Sequence, residues 1–119
     1  MDKRGKIWGS TACLFNKNNT EIHRIEAKKG GYCSVHKHDH KWNIFFVEQG
    51  KLKITIHRWD ADKPIEDVII LNKNEMTYVE PGLFHTFEAL EDTIAFEIYY
   101  VALDQNDISR KSIGGVKNG

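Results

Sequence analysis

The sequence has no excess of either charge, because its 119 residues include 17 basic and 17 acidic side chains. Nucleic-acid-binding domains usually carry a basic excess or a basic stripe, so a nucleic acid is not an expected partner. No apolar run approaches the length of a membrane span, so a membrane is not expected as a partner either. The polar N-terminus leads into no apolar segment of the kind found in a secretory signal, which predicts a cytoplasmic protein.

Cysteine is also scarce, with only Cys13 and Cys33 in the chain. In the absence of a secretory signal, we expect both to be reduced and half-buried rather than joined in a disulfide. The length fits a single domain, 1–119, and no internal repeat or low-complexity segment divides it. We expect a barrel over about 6–103, followed by a polar, glycine-containing arm over 104–119.

No stretch of the chain keeps a helical period between turn signals. Turn residues instead recur every eight to twelve positions, with short β-branched and aromatic runs between them, which is the pattern of an all-β sandwich or barrel. The segment 51–59 alternates most clearly, because Leu52, Ile54 and Ile56 share one face of a half-buried strand. The predicted strands are 21–27, 32–36, 41–48, 51–59, 66–71, 76–79, 85–89 and 93–101.

Three of the six histidines, His36, His38 and His40, occupy alternate positions in one segment. Residues two apart on a strand share a face, so at least His36 and His38 can point to the same spot. Imidazole is a common ligand of divalent first-row metals, and two imidazoles on one face form a chelating pair. We expect His40 to face solvent, with a role beside the metal ligands as the alternative. We interpret His23 and His57 as structural or surface residues.

The sequence around these histidines resembles the two-part signature of the cupin superfamily. Gly30 and Gly50 flank the His-x-His pair, and a second half, Pro-Gly-Leu-Phe-His at 81–85, ends in a third histidine, His85. The resemblance implies an all-β cupin barrel, also described as a jelly roll or double-stranded β-helix. It also implies a site for one divalent ion such as Zn, Mn, Fe or Ni, with ligands at His36, His38, Asn43 and His85.

The chain departs from the cupin signature at Asn43, where the pattern has glutamate. An amide oxygen can still bind a metal, but it carries no charge, so the ion keeps its full charge. We therefore expect weaker retention of the metal and a stronger Lewis acid. The second half also differs, with Glu80 and Ala89 where the pattern favours proline and asparagine. A barrel that keeps its histidines without a metal stays open as an alternative.

Four further segments resemble the type II mannose-6-phosphate isomerase domain, which is the C-terminal cupin of bifunctional isomerase and mannose-1-phosphate guanylyltransferase enzymes. They are Lys-Ile-Trp-Gly at 6–9, His-Arg-Ile at 23–25, Thr-Tyr-Val-Glu-Pro-Gly at 77–82 and Asn-Asp-Ile-Ser-Arg at 106–110. The resemblance extends over about residues 6–115, and it depends on the order of these short motifs. It implies a small-molecule ligand that is a sugar or a sugar phosphate.

The resemblance also implies roles for particular residues. Family members hold the metal with Gln, His, Glu and His, and His36 and Asn43 replace two of these groups here. A sugar phosphate needs cationic donors, and Arg24 and Arg110 match arginine positions of the family. The family's arginine after the last histidine is Thr86 in this chain. The nucleotidyltransferase half and a glycine-rich phosphate loop are absent from the sequence, so guanylyl transfer is not expected of it.

Aldose–ketose isomerisation also requires a base that moves a proton between adjacent carbons. Glu97 matches a glutamate in the family's last strand and is the candidate catalytic base. Ala95, Glu97 and Tyr99 share one face of that strand, but alternation alone leaves open whether this face looks inward. If the face is buried, the pKa of Glu97 should be raised.

Two other functions remain open at this point. A non-catalytic cupin that binds a sugar or another small ligand would tolerate the changed groups at Asn43 and Thr86. An Fe(II)-dependent dioxygenase would suit three neutral histidines with open coordination positions. In either case we expect a homodimer, because pairing exposed sheet edges between subunits protects them from aggregation. The strand containing Trp8 and the arm near Arg110 are the candidates for that contact.

Overall fold

The computed structural model describes residues 2–101, 106, 107, 109 and 111–117, and every regular element in this part of the chain is a β-strand. This confirms the all-β prediction. None of the described residues belongs to a helix that could cross a membrane. The nine strands are β1 Asp2–Lys6, β2 Gly9–Lys17, β3 Thr20–Ala27, β4 Trp42–Gln49, β5 Leu52–Asp60, β6 Lys63–Leu71, β7 Met76–Val79, β8 Phe84–Ala89 and β9 Thr93–Tyr100.

The strands form two antiparallel sheets that face each other as a jelly-roll barrel. One sheet has six strands in the order β1-β2-β3-β9-β4-β7, and the other has three in the order β6-β5-β8. From β4 onward the chain crosses repeatedly between the sheets. The core lies between them and includes Phe45, Leu52, Ile54 and Phe87, each at most 2 % exposed. The predicted burial of alternate residues in 51–59 is confirmed, because Ile56 is buried as well.

The structure differs from the predicted strands in three places. The segment 32–36 is not a regular strand, since it meets β8 only through isolated bridges at Tyr32 and His36. Strands β1 and β2 were not predicted, because neither shows a clear alternation of apolar and polar residues. Trp8 lies in the turn between these two strands rather than in a strand, and the first strand begins at Asp2, before the predicted start of the barrel.

Left-handed turn residues close the hairpins at the predicted turn signals. Asn18 and Asn19 join β2 to β3 with φ angles of 55° and 62°, which matches the two-residue hairpin turn that asparagine favours. Gly50 joins β4 to β5 with φ at 97°, and a Cβ there would lie 2.4 Å from the carbonyl oxygen of Asp92. Glycine is therefore required at this end of the barrel by both conformation and space.

Candidate metal centre

The three predicted histidine ligands come together at one end of the barrel interior. His85 begins the buried part of β8, and the segment carrying His36 runs antiparallel beside it. The two residues exchange backbone hydrogen bonds, from His36 N to His85 O at 3.0 Å and from His85 N to His36 O at 2.8 Å. His38 follows two residues later, and its carbonyl oxygen accepts from Gly82 N at 2.8 Å. Backbone hydrogen bonds from the turn 81–85 thus hold the second half of the signature against the His-x-His segment of the first half.

The three imidazole rings converge closely enough to share one ligand. The ring centroids are 4.5 Å apart for His36 and His85, 5.1 Å for His36 and His38, and 5.7 Å for His38 and His85. One nitrogen from each ring lies within 4.8 Å of the others. Three neutral imidazoles in this arrangement form a donor set that Zn, Fe, Ni and Mn can accept.

The hydrogen bonds of the rings leave nitrogens available for a metal. The Nδ1 atom of His36 contacts Ser34 O at 2.8 Å, and Nδ1 of His85 contacts Leu83 O at 2.9 Å. Donation of these Nδ1–H groups to carbonyl oxygens leaves Nε2 with its lone pair, as in most metal-bound histidines. His38 Nε2 is buried and has no hydrogen-bond partner among the described residues. A metal ion would satisfy that atom, so the residues present fit a divalent ion.

Asn43 lies beside this cluster on the inner face of β4, and it is only 1 % exposed. Its Oδ1 atom is 3.2 Å from His85 Nε2, and its Nδ2 atom donates to Ile44 O at 3.3 Å. The amide is therefore oriented with its oxygen toward the histidines. This placement suits the fourth ligand position that the sequence predicts, although the ligand role itself stays a prediction.

The local electrostatics keep most of the cluster neutral. Burial, with smaller contributions from the neighbouring His36 and His38, lowers the pKa of His85 to about 4. Burial also lowers the pKa of His38. A hydrogen bond with the Cys33 side chain raises the pKa of His36 against the lowering effect of its own burial. Neutral imidazoles are the forms that bind a metal.

The inner face of β9 adds an acid to the site. Glu97 is 7 % exposed and points into the barrel, which answers the question that alternation left open. The Tyr99 hydroxyl donates to Glu97 Oε2 at 2.5 Å. Burial raises the pKa of Glu97, while the hydrogen bond from Tyr99 opposes that rise. Sequence reasoning did not single out Tyr99, although its position two residues after Glu97 places both on one face.

A cavity of about 770 Å³ opens beside the cluster, with His36, Glu97 and Tyr99 in its wall. Trp8 packs edge-on against Phe87 at another part of this wall. Three lysines that sequence reasoning missed also line the cavity, Lys6, Lys28 and Lys29. Lys6 lies far along the chain from Lys28 and Lys29, but the two segments are brought together where Lys28 N donates to Trp8 O at 2.9 Å.

The predicted phosphate-binding arginines are not brought to this cavity by the described structure. Arg24 lies on the opposite face of β3 from the buried Ile25, and its Nη1 atom contacts Glu26 Oε1 at 2.6 Å. Arg110 lies outside the described residues. Thr86, at the position of the family arginine, donates its hydroxyl to Cys33 O at 2.8 Å.

The other three histidines are not part of the three-histidine cluster, and the two cysteines form no disulfide. His40 is exposed, and His23 contacts Glu21 Oε2 at 3.2 Å. His57 lies 3.6 Å from Glu66 Oε1. Cys13 and Cys33 are both free and half-buried.

The comparisons with known proteins agree with this architecture. A family model described as Cupin domain matches residues 23–102, more than half of the chain. The chain is also 26 % identical over 78 residues to a mannose-1-phosphate guanylyltransferase of Sinorhizobium fredii. That match covers 66 % of this chain but 14 % of the relative, so the chain spans only a small part of that protein.

Two solved structures illustrate the similarity of the fold. KdgF from Halomonas sp. gives a TM-score of 0.71 at 13 % identity, with 87 % of this chain and 90 % of that chain covered. The oxalate decarboxylase of Bacillus subtilis, which has Mn(II) centres, gives a TM-score of 0.70 at 17 % identity. The second match covers 89 % of this chain and 29 % of the decarboxylase.

Proposed function

The chain belongs to the cupin domain family, and on that premise we propose that it is a metal-binding cupin that takes a small anionic ligand of the sugar-phosphate type. His36, His38 and His85 would hold one divalent ion, with the amide oxygen of Asn43 as a weak fourth ligand. Glu97 would act as the base in an isomerase-type proton transfer. The protein resembles type II mannose-6-phosphate isomerase in its motifs, and the sequence match to the guanylyltransferase of Sinorhizobium fredii supports that direction.

The observation that best supports the metal is the convergence of three ring nitrogens within 4.8 Å of one another. Two of these rings are fixed through Nδ1, and the third has a buried Nε2 without a partner among the described residues. Leaving a buried nitrogen unsatisfied costs about 1–3 kcal/mol, which a metal bond would offset. The Mn(II) centres of the oxalate decarboxylase neighbour are an example of a metal in the same fold.

A divalent ion at this site would polarise a carbonyl group of the ligand and orient its hydroxyl groups. The chain's own residues supply the rest of the chemistry. Glu97 has a buried carboxyl group whose pKa is raised by burial, which makes its carboxylate a stronger base. Tyr99 fixes that carboxyl group by its hydrogen bond, and the shared cavity gives both residues access to a ligand.

The anionic character of the ligand rests on the charges around the cavity. Lys6, Lys28 and Lys29 line it, whereas Glu97 is the acidic residue in its wall. An ammonium group attracts phosphate or carboxylate as a point charge. We therefore assign the binding of the anionic group to these lysines rather than to Arg24, which is paired with Glu26 on another surface.

A non-catalytic ligand-binding cupin is the second candidate. It is favoured by Asn43 and Thr86, since the first removes a charge from the metal site and the second supplies no cation. Such a protein would still bind the metal and the anionic ligand at the same cavity. It would differ only in lacking turnover.

Metal analysis of protein purified without chelator tests the first part of the proposal. We expect close to one equivalent of a divalent ion after loading with Zn, Mn, Fe or Ni, and less than a tenth of an equivalent would contradict it. Coupled assays with mannose-6-phosphate, glucose-6-phosphate and fructose-6-phosphate then separate the two candidates. Turnover supports the isomerase, whereas a rise in melting temperature without turnover supports the binding protein.

A further inference from the structure

The turn between β1 and β2 forms one wall of the cavity beside the histidine cluster. Lys6, Ile7 and Trp8 line the cavity there. The side chain of Ile7 is fully exposed, whereas Trp8 is half-buried and packs against the core. Trp8 is therefore the residue through which this turn offers a fixed apolar surface to a ligand.

Close contacts hold Trp8 in one position. Its carbonyl oxygen accepts from Lys28 N at 2.9 Å. A Cβ at Gly31 would lie 2.8 Å from Trp8 O and 2.9 Å from Trp8 Cβ, so glycine is needed for this approach. The indole and the ring of Phe87 are nearly perpendicular, at 83°, and this contact occupies at most one face of the indole. A ring that is fixed before a ligand binds loses little side-chain entropy on binding.

The other aromatic side chains of this cavity wall are less suited to contact a ligand. Phe87 is only 2 % exposed. The ring of Tyr99 already packs against His38, with the centroids 5.0 Å apart. Tyr32 is 71 % exposed, so packing holds little of its side chain. Trp8 combines a fixed position with access to the cavity.

Polar groups lie around Trp8 in the same wall. Lys6 precedes it by two residues, Lys28 donates to its carbonyl oxygen, and Ser34 and Glu97 line another part of the cavity. A fitting ligand has an apolar face for the indole and carries hydroxyl and anionic groups at its rim. A pyranose ring has this character, because its axial C–H bonds form a face that the electron-rich face of an aromatic ring attracts.

We propose that Trp8 is a specificity-determining residue that stacks on the pyranose ring of a sugar phosphate, while the cavity lysines hold the phosphate. This inference rests on the proposed function and adds that the ligand is recognised as a ring. Isomerisation requires the open-chain form, so the contact belongs to the ligand as it first binds, before the ring opens. The cavity volume of about 770 Å³ lies within the roughly 300–1,000 Å³ of pockets that enclose small organic ligands.

Titration calorimetry of the metal-loaded full chain with three probes tests this role. The cyclic anhydroglucitol-6-phosphate has the pyranose ring, glucitol-6-phosphate has an open chain of the same charge, and inorganic phosphate has neither. None of them can be isomerised, because none has a carbonyl group or a hemiacetal. In Trp8→Leu the affinity for the cyclic compound should fall by about tenfold, whereas the other two affinities should change by less than about twofold.

Two further variants make this comparison specific. Trp8→Phe keeps an aromatic face, so it should retain most of the affinity for the cyclic compound. Trp59→Leu is the matched control, because Trp59 is 76 % exposed on β5 and lines no part of this cavity. All three affinities should stay at the wild-type values in this control.

Fluorine NMR of the wild type keeps the test decisive if Trp8→Leu does not fold. The chain has three tryptophans, so protein that contains 5-fluorotryptophan should give three signals. Trp42→Phe and Trp59→Phe assign two of them and leave the third to Trp8. The cyclic compound should shift the Trp8 signal, whereas the open-chain compound should leave it in place.

The outcomes separate this inference from the proposed function. Equal losses for all three probes in Trp8→Leu, or a Trp8 signal that the cyclic compound does not move, would overturn the stacking role and leave the proposed function standing. The same would follow if Trp59→Leu lost as much affinity as Trp8→Leu. A wild type that binds none of the three probes would overturn the proposed function and this inference with it.

Discussion

The ring of His38 packs edge-on against the ring of Tyr99, with the ring centroids 5.0 Å apart. Tyr99 in turn donates its hydroxyl to Glu97. The ring of Tyr99 therefore links the histidine cluster to Glu97 on β9. This contact means that a change at a metal ligand can disturb the acid, so each role needs a variant that leaves the other residues in place.

The first prediction separates the ligand histidines from their exposed neighbour. His38→Ala should weaken metal binding by at least about 100-fold, because removing even a hydrogen-bond partner of a ligand costs about 10- to 100-fold. His40→Ala is the matched control, since His40 is exposed two residues away. Isothermal titration with Zn²⁺ measures both. Equal affinities in the two variants would contradict the assignment of His38 as a ligand.

The second prediction concerns the charge that is missing at Asn43. Asn43→Glu places a carboxylate where the Asn43 amide oxygen now lies 3.2 Å from His85 Nε2. A carboxylate offsets part of the ion's charge, so metal affinity should rise roughly tenfold or more. Asn43→Gln, which keeps the amide, is the control. If metal affinity is unchanged or falls in Asn43→Glu alone, Asn43 does not face the ion.

The third prediction concerns the pH dependence of stability in the metal-free protein. His85 has a pKa of about 4 in the folded chain and 6.5 as its ordinary value, so the unfolded chain binds more protons between these values. Its contribution to stability is therefore complete above pH 6.5 and is lost as the pH falls toward 4. The loss is on the order of 2–3 kcal/mol.

Urea unfolding with chelator present measures this contribution as the difference in pH dependence between the wild type and His85→Gln. The comparison is needed because Glu97, with its raised pKa, contributes in the opposite direction and is common to both proteins. The free energy of unfolding should fall less steeply in the variant below pH 6.5. Identical slopes would mean that His85 is not neutral in the folded chain.

Strand β5 could be predicted with its inner face because Leu52, Ile54 and Ile56 are buried and alternate with polar residues in the sequence itself. In β4 and β9 alternate residues are also buried, but the other positions are apolar too, so the sequence predicted these strands without predicting which face is inside. The cupin resemblance, drawn from the spacing of glycines, histidines and the Pro-Gly turn, is confirmed by the family match. Strands β1 and β2 escaped prediction because they lie at one side of the larger sheet, where burial imposes little alternation.

Other parts of the site depend on contacts that the sequence does not reveal. The orientation of Glu97 follows from its pairing opposite Phe45, whose side chain is in the core. A shift of one residue in that pairing would have turned Glu97 outward. The lysines at the cavity come from the end of β1 and from the segment after β3, so only the folded chain brings Lys6 and Lys28 to one cavity.

The fourth prediction concerns these lysines. Lys28→Glu should weaken the binding of a sugar phosphate by about tenfold, because it places a negative charge beside the anionic group. The loss should be smaller at high salt, since exposed charges are screened. Lys73→Glu, in the exposed turn after β6, is a control with the same change of net charge. A thermal-shift titration of metal-loaded protein measures both, and equal losses would show that only net charge matters.

The last prediction concerns the proton transfer assigned to Glu97. Glu97→Gln removes the proton acceptor but keeps the shape and the hydrogen bond with Tyr99, so turnover of a sugar phosphate should fall by about 100- to 10,000-fold. Metal content should stay near the wild-type value, in contrast to His38→Ala, which should lose both metal and turnover. Tyr99→Phe should give a smaller decrease in kcat, because it removes only the group that fixes the carboxyl. If Glu97→Gln retains full turnover with the metal bound, the base lies elsewhere. If it loses the metal together with turnover, Glu97 supports the ion rather than the proton transfer.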